Sequence, residues 1–234
     1  MDRQQRHNLK HDKFVDEIGA LSVRARANQR LLFTIGIAAV VIAALGFGIY
    51  FFRAHREDEA QQALAKAIET NEATVGETQP QGAIGQHFKT EAERTAAAEK
   101  AFQGVRANYG GTDAADLAGL YVARIAVAKG DVKTARPLLE DFVSDHGDNI
   151  LVSTARFSLY QLRIENGEAA QVAQELDSEL AKTKPVLPGD SLLVLLAQAY
   201  EVQGNAAKSK EAYKRITTEF PESPYVVEAA RRAS

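Results

Sequence analysis

Residues 196–221, LAQAYEVQGNAAKSKEAYKRITTEFP, read as two helices folded back on each other at Gly204-Asn205. Leu196, Ala197 and Tyr200 before the turn, and Ser209, Tyr213 and Ile216 after it, recur at helical spacing and so mark one apolar face on each helix. Phe220-Pro221 closes the second helix. The same Gly-plus-polar step stands at Gly167-Glu168 and Gly130-Asp131, each 37 residues from the next. Five residues after each glycine come Ala135, Val172 and Ser209, small or modest side chains; nine residues after it come Leu139, Leu176 and Tyr213, all large. Gly147, Lys184 and Pro221 mark the ends of the second helices. Val122-Ala123, Leu159-Tyr160 and Leu196-Ala197 precede the three turns in register. One further interval towards the N-terminus, Ala98, Phe102 and Gly110 stand where Ala135, Leu139 and Gly147 do, which predicts a fourth, degenerate unit. A fixed period of this size marks stacked helix pairs that bury their apolar faces only against neighbours.

The run Leu196-Ala197-x-x-Tyr200-x-x-x-Gly204-Asn205 … Tyr213 … Phe220-Pro221 resembles a tetratricopeptide (TPR) repeat. The first clear unit keeps Ala123, Gly130-Asp131, Ala135, Leu139 and Phe142. The middle unit departs most. Arg163 replaces the usual aromatic or small residue, and Glu179 stands where its neighbours carry Phe142 or Ile216, which predicts a rotated second helix. The motif residues themselves read as core packing and not as ligand contacts.

Leu31 to Phe52 is a run of 22 residues without a charge, 13 of them Leu, Ile, Val or Phe. At about 1.5 Å per residue such a helix is roughly 33 Å long, enough for a hydrocarbon core of about 30 Å. Phe47, Tyr50, Phe51 and Phe52 crowd its far end, where aromatic rings favour the membrane interface. Arg3, Arg6, Lys10, Lys13, Arg24, Arg26 and Arg30 precede the run. Arg53, Arg56 and Lys66 follow it among Glu57, Asp58, Glu59, Glu69 and Glu72. The positive-inside rule then predicts a cytoplasmic N-terminus and exported repeats. Gly46-Phe47-Gly48 would suit a signal-peptidase site, but the run is longer than a signal's apolar region and has thirty residues before it, so an uncleaved anchor is expected. Residues 53–234 carry 21 Lys and Arg against 27 Asp and Glu, a formal charge of −6 that argues against nucleic acid as a partner. There are no cysteines, hence no disulfide framework, no thiolate metal site and no lipid-modified Cys.

The expected class is all-α: an N-terminal transmembrane helix followed by a TPR-like solenoid. Its parts are a cytoplasmic basic arm (1–30), the anchor (31–52), membrane-proximal helices with the degenerate repeat (53–111), and the TPR-like repeats with a C-terminal capping helix (112–234). Helical pattern fills Arg53–Ala73 and Lys89–Asn108, with a Gly- and Pro-containing loop at Val75–Gly85. Gly110-Gly111 ends a helix, Thr112 or Asp113 caps the next, and Pro185–Gly189 separates two units. Ser223-Pro224 opens a last helix, Pro224–Arg232, expected to be a solvating cap.

The arm Arg6-x-x-Leu9-Lys10-x-Asp12-x-Phe14, followed by one span and TPR-like helices, resembles the YfgM-like family of bacterial proteins. That resemblance implies an inner-membrane protein ancillary to the Sec translocon, its C-terminal domain in the periplasm. Translocon subunits, periplasmic chaperones or exported chains would then be its partners. The ending Phe220-Pro221-x-Ser223-Pro224-Tyr225 also resembles TPR modules that serve outer-membrane assembly and constriction. An envelope scaffold for cell-wall, division or outer-membrane assembly is therefore the alternative, and an assembly factor for respiratory cofactors a third.

Nothing in the chain spells an enzyme, a cofactor or a metal centre. His7 and His11 stand four residues apart near Asp12, without a third ligand and in a basic arm, and read as solvated. His146, between Asp145 and Asp148, reads as a cation at a helix C-terminus. Gly110-Gly111 lacks the Lys-Ser/Thr of a phosphate loop. Carried over from the TPR pattern, a protein-binding groove would be lined by Leu120, Arg124 and Val127, then Phe157, Gln161 and Ile164, then Val194, Gln198 and Glu201. These positions lack the Lys/Asn clamp that holds a C-terminal carboxylate, so an extended or helical apolar segment suits them better. The helix leaving the membrane, or a second copy in a homo-oligomer, could equally fill them.

Overall fold

The computed structural model describes residues 29–79, 85–147 and 150–234. The basic arm with His7, His11 and Asp12, the loop residues Pro80 and Gly82, and Asp148 lie outside them. Two compact units divide at Arg56/Glu57.

In the first unit the described chain is the N-terminal part of α1 (Gln29–Asn71). Its described large apolar side chains, among them Leu31, Phe33, Ile42, Leu45 and Phe52, are exposed. This is a helix long and apolar enough to cross a membrane, with none of that stretch buried against protein. Water is a poor solvent for such a surface, and the helix fits single-pass anchoring.

The second unit is a stack of antiparallel helix pairs. The distal turns of α1 pair with α2 (Glu91–Tyr109). Then come α3 (Asp113–Ala128) with α4 (Val132–Asp145), and α5 (Ile150–Arg163) with α6 (Ala169–Leu180). Last are α7 (Gly189–Val202) with α8 (Ala206–Glu219), and a short α9 (Val226–Ala233). The expected all-α class holds. Among the described residues the one departure is a two-residue parallel bridge, β1 (Thr74–Val75) with β2 (His87–Phe88), that ties down the loop between α1 and α2. His87 fixes that bridge, its Nε2 donating to the Gly76 carbonyl at 2.9 Å while its Nδ1 faces the Thr74 hydroxyl at 3.0 Å.

The 37-residue ladder becomes a column of buried contacts. Ala98, Ala135 and Val172 are wholly buried and Ser209 nearly so; Phe102, Leu139, Leu176 and Tyr213 are buried beside them. Each cluster of the core draws on a first helix, its own second helix and the next first helix: Ala123, Leu139 and Ala155 meet in one, Leu64, Phe102 and Ala118 in another. The last turns of α1 and α2 therefore pack as a pair in the same register as the later ones. A second column, at Ala118, Ala155, Leu192 and Ala229, is also fully buried. Ala229 thus makes α9 the first helix of a further unit and not only a solvating cap.

Gly130, Gly167 and Gly204 turn each pair with φ of 71°, 91° and 72°, a left-handed conformation in which a side chain is strained. At the middle turn, Asn166 and Gly167 leave helical geometry between α5 and α6. The second helix nevertheless keeps register, since Val172 and Leu176 are both fully buried, so the rotation expected of this unit does not occur. Glu179 finds its own use: its carboxylate accepts from Val186 N–H at 3.2 Å and from Lys182, fastening the linker to α6. Helix starts follow ordinary capping rules, with Thr90, Thr112, Asp131 and Asn205 each accepting a backbone N–H of the first turn. At α3 a second acceptor joins: the Glu57 carboxylate receives Asp113 N–H at 3.0 Å and Ala114 N–H at 3.2 Å. That bond ties α1 to the N-terminus of the next pair, where the helix dipole favours an anion.

Replacing Ala135 by Leu should over-pack the crossing and cost on the order of 1–3 kcal/mol. A Lys133→Leu change, at an exposed position two residues earlier, should cost less than about 0.5 kcal/mol. Thermal melts of the two variants check this, and equal melting temperatures would mean that the register is wrong.

Candidate protein-binding face

The first helices α3, α5 and α7 carry eight of the nine candidate groove positions in equivalent register, and Ile164 follows directly on α5 in the π-helical turn Ile164–Glu168. Within each set the three residues stand four and three apart, and so lie along one side of the helical stretch. The structure sorts them into three groups. Leu120, Ile164 and Val194 are buried: Leu120 packs with Leu139 and Val152, and Ile164 and Val194 join the core around α7. As a correction to the groove list, these three offer no free surface, because they fill the seams between successive helices. Val127, Phe157, Gln161 and Gln198 are half-buried, each with part of its side chain accessible. Arg124 and Glu201 are exposed.

The two charged positions differ in their surroundings. Arg124 lies over the Tyr121 ring, 5.9 Å from its centroid, and makes no ion pair among the described residues. Tyr121 in turn stacks on Phe102 with centroids 4.5 Å apart, so the cation rests on a rigid aromatic column. Glu201 is already engaged: Arg232 of α9 donates to both its oxygens at 2.9 and 3.0 Å. The accessible part of the face therefore has a cation at one end, Phe157 and two amides in its middle, and a neutralised carboxylate at the other.

Phe157 packs its ring against the core cluster of α6, α7 and α8 while staying partly exposed. Tyr160, one turn on, sits beneath the Arg163 guanidinium at 5.9 Å. Arg163 itself, the departure from the repeat pattern, is the hub of an ionic network. Its Nε donates to Glu168 at 2.8 Å, and its two terminal nitrogens donate to the two oxygens of Glu175, each at 2.8 Å. Arg136 of α4 closes the network onto the second oxygen of Glu168. The Arg163 hydrogen bonds hold both Glu168 and Glu175 below the ordinary glutamate range, and the Glu175 bonds raise Arg163 further. His146 serves the neighbouring seam, bonded to the Phe142 carbonyl at 3.1 Å and 3.3 Å from an Asp116 oxygen.

Sequence reasoning missed three participants. Tyr121 adjoins a groove position but was not assigned to it. Arg232 lies in the helix read as a cap, and its reach to Glu201 across 31 positions leaves no local signal. Arg163 was visible as an anomaly, and Glu168 and Glu175, five and twelve positions on, were the signal of its pairing.

Stacked helix pairs with left-handed glycine turns at constant spacing, and a variable face on the first helices, define a helical-repeat protein. A family model for the tetratricopeptide repeat-like domain matches residues 29–227. The chain belongs to that family. No curated protein and no solved structure matches it. Domains of this kind are protein-interaction modules and are typically not catalytic.

The carboxylates of the Arg163 network have lowered folded-state pKa values, so their contribution is complete above the unfolded value of about 4.3 and fades as pH falls through the lowered folded value. Melting temperature should therefore fall more steeply below about pH 4.5 in the native chain than in an Arg163→Met variant. Parallel acid slopes in the two would show that the network adds no pH-dependent stability.

Proposed function

We propose that the chain is a single-pass inner-membrane protein whose repeat domain faces the periplasm and takes polypeptide on the first-helix face. The Sec translocon is the site of action, and exported chains and periplasmic chaperones are the partners. The observation that carries this reading is α1, whose first part is an uncovered apolar helix of membrane-spanning length and whose last turns belong to the repeat stack. Its Leu, Ile, Val and Phe residues, each worth about 0.3–0.6 kcal/mol near a bilayer centre, sum to a stable insertion of several kcal/mol. The excess of Lys and Arg before the span supports a cytoplasmic N-terminus. The resemblance of the arm and architecture to the YfgM-like family supports the translocon. The accessible face supports a partly apolar polypeptide, because Val127 and Phe157 stand among amides beside Arg124 on its Tyr121 ring.

Protease added to spheroplasts should degrade the repeats and leave a small protected N-terminal fragment. Protection of the repeats in spheroplasts, with digestion only in inverted vesicles, refutes the orientation. A mature chain beginning near Ile49 would instead make the apolar run a cleaved signal.

Phe157→Ala separates a binding role from a packing role. As a hot-spot anchor its truncation should remove partner crosslinks, a loss of about 2 kcal/mol or more in binding, with the melting temperature unchanged. As a core residue it should cost roughly 3–5 kcal/mol of stability. In-cell crosslinking through Gln161, read by mass spectrometry, should return translocon subunits or secreted chains. Recovery of division or outer-membrane assembly proteins would favour the envelope-scaffold alternative.

A further inference from the structure

His146 closes α4, and both of its ring nitrogens face acceptors. Nδ1 stands 3.1 Å from the Phe142 carbonyl oxygen, and Nε2 stands 3.3 Å from an Asp116 carboxylate oxygen. The ring lies on that of Phe142, with centroids 4.3 Å and planes 13° apart, so both contacts are held in one orientation. A carbonyl oxygen only accepts, so Nδ1 carries a hydrogen. In a neutral ring Nε2 is then a bare lone pair, turned toward a carboxylate that also only accepts when ionised. With one more proton, on Nε2 or on the carboxyl, the contact is a hydrogen bond. Without it the contact is a repulsion.

The surroundings mostly favour keeping that proton. His146 stands at the C-terminus of α4 and Asp116 in the first turn of α3, where the helix dipoles favour a cation and an anion respectively. Asp116, Asp141 and Asp145 line a cleft of about 140 Å³ with His146, and Arg106 of α2, which also lines it, opposes them. Asp113 adds a further carboxylate beside Asp116, its own N–H taken by Glu57 of α1. Along α5 the first charge is Arg156. Asp148 lies outside the described residues, and another carboxylate acts in the same sense as these. Burial pushes the Asp116 carboxyl above the ordinary aspartate range, the His146 contact draws it back, and Asp113 and Asp145 push it up again.

We propose that the His146–Asp116 contact is a proton-operated clasp on the α3–α4 pair, closed in mildly acidic solution and released in mildly alkaline solution. The two helices are joined through the chain only at the Gly130 turn, and the clasp spans the opposite end of the pair. Its release frays the last turn of α4 and leaves the packed core at Ala135 and Leu139 in place. Histidine ordinarily exchanges its proton between about pH 5 and 8. A contribution that needs the proton is complete on the acid side of that window and is lost as pH rises through it. Its sign is opposite to that of the Arg163 carboxylates, whose contribution is lost as pH falls. Because the Asp116 side chain is 44 % exposed, the tie is a modest one.

Hydrogen–deuterium exchange of the full chain in detergent micelles, read by mass spectrometry at about pH 5.5 and about pH 8, tests this. Each rate is divided by that of the same peptide unfolded at the same pH. Peptides from the end of α4 should be about threefold more protected at the lower pH, with those of α7 and α8 unchanged. His146→Phe keeps a ring on Phe142 but has no nitrogen, and should abolish the difference. Asp116→Asn should abolish it too, since an amide can donate to the neutral ring and accept from the charged one. Should His146→Phe melt early, Asp116→Asn carries the test. Protection at the end of α4 that is equal at both pH values in the native chain, or greater at the higher one, overturns the proposal. So does a pH difference that survives in Asp116→Asn, or one shared equally by α7 and α8, which would belong to the whole domain and not to the clasp.

Discussion

The close crossing of helices at Ala98, Ala135, Val172 and Ser209 is the constraint from which the rest of the domain follows. A small side chain there lets each second helix lie near its first, and brings the large residue four positions on into the space between three helices. Because every core cluster borrows from the next first helix, no pair completes its own core. Neighbours are obligatory, and the stack continues until something other than a full pair covers the last face. Here that cover is α9, held by the buried Ala229, the Ser223–Asp190 hydrogen bond at 2.7 Å and the Arg232–Glu201 pair.

Within that constraint individual positions vary widely. Tyr213 serves where Leu139 and Leu176 do, and Glu179 where Phe142 and Ile216 do, because its polar end finds a backbone N–H and a lysine. Such exchange works only where a charged group reaches a partner without crossing the core. The packing positions are thereby separated from the face that varies. Packing residues lie on the seams, and what remains of α3, α5 and α7 is free to change its chemistry without disturbing the register.

The fold was legible because periodicity is a property of the chain alone. Glycine turns, small crossing residues and the apolar run at 31–52 each occupy a fixed interval or a continuous stretch. The fourth pair was legible by register from Ala98 and Phe102, although its first helix, hidden in the continuation of α1, was not named as such. The candidate face was legible only in outline. Register finds which residues point the same way, but not how deeply a neighbouring helix covers them; Leu120, Ile164 and Val194 show the difference. Long-range ion pairs such as Arg232 with Glu201 have no signature in local spacing.

The Arg163 network has a mechanical consequence. In a stack whose units touch only their neighbours, each seam behaves as a separate joint. The seam at the α3–α4 pair is closed mainly by aliphatic and aromatic contact, with the single His146–Asp116 pair at its edge among the described residues. Where α4, α5 and α6 meet, Arg136, Glu168, Arg163 and Glu175 add a seam of charge that screening loosens and protonation dissolves. The middle of the array is therefore a joint whose stiffness responds to the ionic composition around it, through four linked charges where other seams have isolated pairs.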